Sequence, residues 1–207
     1  GGGDMWIAGS YDPELELVIY GTSQPKPWAA VSRGMSTDNA ALYTNSTLAI
    51  DPNTGDIVWY FQHIPGETID MEVGFERILA TLDGVPVVMT VGKDGILWKL
   101  DRRTGRFIDL METMEQNIFT VNRETGALTY REDIAEAGIG DTFTACPGIY
   151  GGHNWQSATF DKSAQLLFLP VHQLCSDMTP RAVDLGPGGG YGADVATYPM
   201  PGKEQAV

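Results

Sequence analysis

Two acidic residues, Asp70 and Glu72, lie two positions apart in the segment 65–72, and Glu67 lies close by. In extended backbone, residues i and i+2 point to the same face, so the two carboxylates are expected to converge. Like charges held together are costly unless a cation lies between them or one carboxyl stays protonated, and an enzyme can use either outcome. The alternative is an ordinary solvated loop that carries surface acids.

Three further residues could bind a ligand, and each also has a simpler structural interpretation. Trp6 follows three glycines and is either a core aromatic or a platform on which a flat ligand stacks. Lys93 lies where a strand enters the tight turn 92–95, a place where a lysine is normally solvated. Asn154, in the run Gly-Gly-His-Asn-Trp, is either a turn residue or a polar side chain that points into a site.

The elements that would position these residues are predicted to be β-hairpins, because one unit recurs along the chain. It consists of an apolar strand, an Asp or Asn, a short turn, a Gly or small polar residue, and a second strand, and its clearest copy is Leu48–Trp59. The Asp or Asn bonds its own backbone at the turn, and the later Gly accepts a positive φ. The residues that mark the five copies are Asp12, Asp51, Asp101, Asn122 and Asp161.

Hairpins that recur at about 40 residues are typical of the four-stranded blades of a β-propeller. The five copies predict an all-β fold of about three to four blades, whereas a closed ring needs four to eight. Only one short segment, 133–137, has a helical pattern. We therefore expect residues 1–207 to form an incomplete propeller domain that is truncated at both ends.

Composition excludes several classes of protein. The 207 residues carry 13 basic and 27 acidic side chains, a net charge of −14, and the basic residues are scattered, which disfavours nucleic acid. Hydrophobic residues make up 43%, as in globular proteins, and no apolar run is long enough for a membrane span. The sequence contains neither a phosphate-binding loop that ends in Lys-Ser or Lys-Thr nor a Gly-x-Ser-x-Gly motif.

The chain has two cysteines, Cys146 and Cys175, and three histidines that do not supply a zinc-binding pattern with them. The cysteines are either buried thiols or one disulfide in an oxidising compartment.

Taken together, these segments resemble the quinoprotein alcohol dehydrogenases, which use pyrroloquinoline quinone (PQQ). The resemblance covers essentially the whole chain and rests on the order and spacing of its motifs. These are Gly1-Gly2-Gly3 with Trp6, Tyr11-Asp12-Pro13, Tyr20-Gly21-Thr22, Pro25-x-Pro27-Trp28, Asp51-Pro52-x-Thr54-Gly55-x-x-x-Trp59, the Asp70 segment, Gly92-Lys93-Asp94-Gly95, and Cys146-Pro147 leading to Gly152-His153-Asn154.

The resemblance implies an eight-bladed propeller in which tryptophans such as Trp59 dock between neighbouring blades. It implies that Trp6 is the floor on which the quinone stacks and that Asp70 is the general base for the alcohol hydroxyl. Lys93 matches a cationic residue that hydrogen-bonds the quinone oxygens and stabilises charge there, and Asn154 matches an amide that contacts the cofactor.

The resemblance also implies a Ca²⁺ or lanthanide ion next to the quinone. Its ligands in this chain would be Gln24, Asp70 and Glu72. Gln24 stands where the family usually has Asn and carries the carbonyl oxygen on a longer arm, and Glu72 is an extra carboxylate that suits a trivalent ion. The usual Glu ligand would lie upstream of Gly1.

For function, the resemblance implies a periplasmic enzyme that oxidises an alcohol, or an aldehyde or polyol, and passes electrons to a cytochrome c. It further implies a Cys146–Cys175 disulfide. A homodimer is one possible assembly of the chain. The competing hypothesis is a propeller of the same superfamily that has lost its cofactor and serves as a scaffold or binding module.

Overall fold

The computed structural model of the chain describes residues 2–184 and 192–203, so Gly1 of the first motif lies outside the described residues. The regular secondary structure of the described part is almost entirely β, with one helical turn, α1 (Glu132–Ala135), and a 3-10 turn at Val31–Arg33. No helix in this part of the chain is long and apolar enough to span a membrane. The strands are β1 (Gly2–Gly3), β2 (Ser10–Asp12), β3 (Leu17–Gly21), β4 (Pro25–Lys26), β5 (Ser46–Ile50), β6 (Ile57–Gln62), β7 (Ile78–Leu82), β8 (Val85–Val91), β9 (Ile96–Asp101), β10 (Phe107–Glu112), β11 (Phe119–Val121), β12 (Leu128–Tyr130), β13 (Phe143–Ala145), β14 (Thr159–Asp161), β15 (Leu166–Phe168), β16 (Leu174–Pro180) and β17 (Ala193–Pro199).

Two antiparallel four-stranded sheets form complete propeller blades. The first has the strand order β2-β3-β5-β6 and the second the order β10-β9-β8-β7. Smaller sheets follow along the chain: the hairpins β11–β12 and β14–β15 and the three-stranded sheet β13-β16-β17. The prediction of an all-β fold built as part of a propeller is therefore confirmed.

The five predicted hairpins are all present, and their turns close as the residue types require. Asp12, Asp51, Asp101, Asn122 and Asp161 each end the first strand of a hairpin or directly follow it. In the turns at Asp51 and Asp101, the amide of the glycine four residues later donates to the carbonyl of the aspartate at 2.8 Å. The helix expected at 133–137 is also found, one residue earlier, as α1.

Trp59 docks between the two complete blades, as the resemblance predicted. It lies in β6 of the first blade and is 8% exposed, and its neighbours in the core include Val88 and Leu100 of the second blade. Gly105 in the β9–β10 turn packs directly against the indole, because a Cβ built there would lie 2.4 Å from the ring of Trp59. With φ at +70°, this position suits glycine for its backbone as well as for its space.

Cys146 and Cys175 form a disulfide, which connects the loop after β13 to β16. The pairing that the resemblance implied is confirmed, and the alternative of two buried thiols is wrong for this chain.

Candidate active site

Lys93 is the centre of a cluster that contains four of the six predicted site residues. Its Nζ lies 2.9 Å from Oδ2 of Asp70 and 3.0 Å from Oε2 of Glu72. Glu72 in turn accepts a hydrogen bond of 2.8 Å from Nε1 of Trp6 through its other oxygen. The three charged residues are all less than 9% exposed, so neither solvated surface acids nor a solvated loop lysine describes them.

The ring of Trp6 is not part of the core. It is 46% exposed, and its main aromatic neighbour is Phe75, which meets it edge to face at a centroid distance of 5.7 Å. Because Nε1 is held by Glu72, the orientation of the indole is fixed while much of its surface stays open. An oriented and accessible indole is suited to stacking against a flat ligand.

The two carboxylates converge for a different reason from the one that the sequence suggested. The backbone at Asp70 is not extended: its φ is +75°, in the left-handed region that residues other than glycine rarely adopt. The amide of Glu72 donates to the carbonyl oxygen of Asp70 at 3.1 Å, so a tight turn brings the side chains together. The expectation of strand-like alternation from Asp70 to Glu72 is therefore wrong, although the predicted proximity of the acids is found.

Burial and charge act in opposite directions on the ionisation of these groups. Burial raises the pKa of Asp70 to about 6, against the opposing effects of the Lys93 charge and hydrogen bond. Burial alone would lower the pKa of Lys93, but the carboxylates of Asp70 and Glu72 outweigh it and raise that pKa. The cluster thus holds a carboxylate of raised basicity next to a stable cation, an arrangement found where enzymes transfer protons.

The comparisons with known proteins agree with this arrangement of fold and site. The sequence profile of the PQQ-containing glucose/ethanol/alcohol dehydrogenase β-propeller domain matches residues 1–129. The chain belongs to this family. Among its relatives is the quinohemoprotein alcohol dehydrogenase of Comamonas testosteroni, which is 34% identical over 84% of this chain and 25% of that protein.

Two methanol dehydrogenases are similarly related. The lanthanide-dependent methanol dehydrogenase of Methylorubrum extorquens is 30% identical over 98% of this chain and 36% of its own length. The solved structure of a europium-containing methanol dehydrogenase superposes with a TM-score of 0.88 at 28% identity, covering 97% of this chain and 35% of that one. The chain therefore spans about a quarter to a third of the length of the relatives that it matches.

The oxygen atoms of the site fit the metal ion that the family implies. Gln24 is 5% exposed, and its Oε1 is a buried acceptor with no hydrogen-bond partner, as is Oδ1 of Asp70. An unsatisfied buried acceptor is costly, and amide and carboxylate oxygens are the ligands that hard cations prefer. Within the described residues, no group of three or more His, Cys, Asp or Glu side chains is arranged around a metal position. The free oxygens of Gln24 and Asp70 thus suit a hard cation, whereas both oxygens of Glu72 are already bonded, one to Trp6 and one to Lys93.

Asn154 and Gln24 are the two predicted site residues that, within the described part of the chain, make no hydrogen bond or ion pair with the cluster. For Asn154 the reason is local. Its Nδ2 donates to the carbonyl of Tyr150 and its Oδ1 accepts from the amide of Trp155, each at 2.9 Å, so the side chain stabilises its own turn. The same loop nevertheless packs against Lys93, because the amide of Gly152 donates to the Lys93 carbonyl at 2.8 Å. Asn154 is thus close in the fold without contacting the acids.

Sequence reasoning missed several residues that shape the site. Lys26 pairs with Asp4, and although burial lowers its pKa, Asp4, Glu72 and Asp70 raise it on balance, which places a second cation near the cluster. Lys26 and Asp4 also border a cavity of about 490 Å³. No sequence signal identifies this pair, since its members lie on separate segments. The sequence shows Glu67 as a nearby acid, but its hydrogen bonds to the Asp70 turn depend on the fold.

Proposed function

We propose that this chain is part of a PQQ-dependent dehydrogenase that oxidises an alcohol. The observation that carries the proposal is the buried Asp70–Lys93–Glu72 cluster, which is joined through Glu72 to the exposed indole of Trp6. The family match and the relatives named as alcohol and methanol dehydrogenases support it.

Each residue of the cluster has a chemical task in this proposal. Asp70 accepts the proton of the alcohol hydroxyl, which its raised basicity favours. Lys93 donates hydrogen bonds and stabilises negative charge beside Asp70, and Trp6 supplies a surface for stacking. When bound, PQQ and a metal ion held by Gln24, Asp70 and Glu72 would supply the hydride acceptor and the Lewis acid. The additional carboxylate of Glu72 favours a lanthanide over Ca²⁺, and one of the relatives is named as lanthanide-dependent.

The setting of the reaction is also part of the proposal. Residues 1–207 would be an incomplete portion of the eight-bladed propeller, in agreement with the quarter to a third of each relative that they cover. A cytochrome c would accept the electrons, as the name of the quinohemoprotein relative suggests. We place the protein in the periplasm because a disulfide persists in oxidising compartments. The homodimer stays a prediction.

The test is alcohol oxidation by the full-length protein that this proposal implies, loaded with PQQ and either Ca²⁺ or a light lanthanide. In a dye-linked assay with a panel of alcohols and polyols, Asp70→Asn is expected to lower kcat by at least about 100-fold, since general bases contribute roughly 10²–10⁴-fold. Asp109→Asn is the control, because Asp109 is an exposed partner of Lys99 at the surface.

Full activity of Asp70→Asn would rule out Asp70 as the base. If the wild-type protein oxidises no alcohol with any of the metals, the cofactor-less scaffold becomes the better description.

A further inference from the structure

The turn at Asp70 needs an external support. Asp70 at φ +75° lies in a left-handed conformation that costs free energy for residues other than glycine, although Asp tolerates it better than most, so contacts that stabilise the turn matter for its position. The Asp70 side chain leaves this backbone toward Lys93, so any relaxation of the turn would move the carboxylate away from its partner.

Glu67 supplies that support through a single oxygen atom. Its Oε1 accepts hydrogen bonds from the amides of Ile69 at 2.5 Å and Met71 at 2.8 Å, the two residues on either side of Asp70. Glu67, Ile69 and Met71 are fully buried, so no water replaces these bonds. The carboxylate therefore ties the amides before and after the strained residue to one point.

Glu67 is itself fixed to a different part of the chain. Nη2 of Arg33 donates to the carbonyl oxygen of Glu67 at 3.0 Å, and Nη1 of the same guanidinium donates to the carbonyls of Pro27 and Trp28 at 2.5 and 2.6 Å. The hydroxyl of Thr68 accepts from the amide of Ala30 at 3.0 Å. The support for Asp70 is thereby linked to the segment that follows Gln24.

Close packing on the other side leaves the loop little room to shift. Gly66 has φ +63°, and a Cβ built there would lie 1.7 Å from the carbonyl oxygen of Thr37. Because backbone packs against Gly66 and Arg33 is bonded to the carbonyl of Glu67, the backbone that carries the Glu67 carboxylate is held in place.

We propose that Glu67 is a positioning residue that holds the left-handed turn of Asp70 and so directs its carboxylate. This inference rests on the proposed function, in which Asp70 is the base. Glu67 acts through the backbone amides of Ile69 and Met71. Its side chain must therefore supply one acceptor oxygen that both amides can reach. A neutral amide oxygen meets that requirement, whereas an apolar side chain of similar volume does not.

The first test compares Glu67→Gln with Glu67→Leu in the full-length protein loaded with PQQ and metal. Gln keeps the acceptor, so kcat is expected within about threefold of wild type. Leu fills the space but leaves two buried amides without an acceptor, and kcat is expected to fall about 100-fold, the loss that a small misplacement of a catalytic group causes. The KM for the alcohol is expected to change less than about twofold. The value of kcat is given per bound metal ion, because Asp70 is also a proposed metal ligand and its displacement lowers the metal content.

Asp161→Ala is the matched control for the loss of a turn carboxylate. Oδ1 of Asp161 also accepts from two backbone amides, those of Ser163 and Ala164, but it lies in the exposed β14–β15 turn. Its removal is expected to leave kcat unchanged.

The second test measures amide hydrogen exchange in protein without cofactor, and so does not depend on activity. In wild type, the amides of Ile69 and Met71 are expected to exchange at least 100-fold more slowly than those of Ser163 and Ala164. In Glu67→Leu this protection is expected to fall at least tenfold at the first pair and stay unchanged in β8 and β9. The wild-type comparison decides the point even if the Leu variant does not fold.

The inference is overturned if Glu67→Leu keeps its kcat, if Glu67→Gln loses it, or if the Ile69 and Met71 amides exchange as fast as those of the exposed turn. A wild-type protein that oxidises no alcohol would instead refute the proposed function, while the exchange result would still show whether Glu67 holds the turn.

Discussion

Replacing Lys93 by Met should destabilise the protein without cofactor, and the loss should depend on pH. Lys93 is the close cationic partner of both Asp70 and Glu72, at 2.9 and 3.0 Å. The exposed fractions of the side chains are 8%, 11% and 9%, so water screens these contacts little. Removing one partner of a buried ion pair costs about 3–5 kcal/mol, because it leaves charge buried without compensation. We expect Lys93→Met to lower the free energy of unfolding by about 3 kcal/mol at pH 8, the low end of this range, because Met still fills the space.

The sign of the pH dependence follows from Asp70. Its pKa in the folded protein is about 6, above the ordinary value of 3.8, so the folded state binds more protons between these values and stability falls as pH rises through them. Without Lys93 the pKa of Asp70 in the folded protein rises further. The pH range over which stability falls as the pH rises therefore extends above pH 6. At pH 5 the carboxyl is largely neutral with or without Lys93, so the loss should shrink to about 1–2 kcal/mol. The raised pKa of Lys93 keeps the lysine charged across this whole range.

Urea unfolding at pH 5 and pH 8, followed by tryptophan fluorescence, measures both values. Lys93→Arg, which keeps the cation, and Lys99→Met are the controls. Lys99 pairs with Asp109 at 3.3 Å on the surface, where a salt bridge contributes at most about 1 kcal/mol and commonly less. A loss for Lys93→Met that is the same at both pH values, or no larger than that of Lys99→Met, would refute the reasoning.

Two further predictions concern the propeller itself. Gly105→Ala should lower the free energy of unfolding by about 2 kcal/mol more than Gly55→Ala, as measured by urea unfolding. Both glycines have positive φ, but only at Gly105 would the new methyl group meet the ring of Trp59, at 2.4 Å. Equal losses of stability would contradict this packing. Replacing Cys146 and Cys175 by Ser should cost about 3–4 kcal/mol for a sequence separation of 29 residues, and free thiols at both positions in a non-reduced digest would show that the bond is absent.

The hairpins were predictable from sequence because their signal is local. Asp51 and Asp101 bond the backbone within four residues, and the glycine that follows tolerates a positive φ, so each turn is specified by a few neighbouring residues. The docking of Trp59 and the Cys146–Cys175 bond were reached only through the family resemblance, because they depend on how distant segments meet.

The backbone of Asp70 was not predictable in the same way. An alternating pattern of acids suggests a strand. Asp adopts positive φ more often than most residues other than glycine, but its type alone does not show which Asp does so. The turn depends on Glu67 and on its anchor Arg33, which is 34 positions away in the chain. Asn154 shows the converse: its bonds to Tyr150 and Trp155 are local, and a turn is one of the two structures that its sequence indicates.

The contact of Trp59 with Gly105 recurs one step further along the chain, where a Cβ at Gly126 would lie 2.7 Å from the ring of Phe107. In each case an aromatic side chain of one hairpin lies over the glycine of a later turn, so each seam joins a unit to its neighbour. Stability in such an array is approximately a sum of terms between adjacent units. A substitution at one of these aromatic–glycine contacts should therefore be compensated by a change in the residue on the other side of the same contact. A duplicated or exchanged blade would be accepted only where its aromatic residue meets a glycine in the blade that follows.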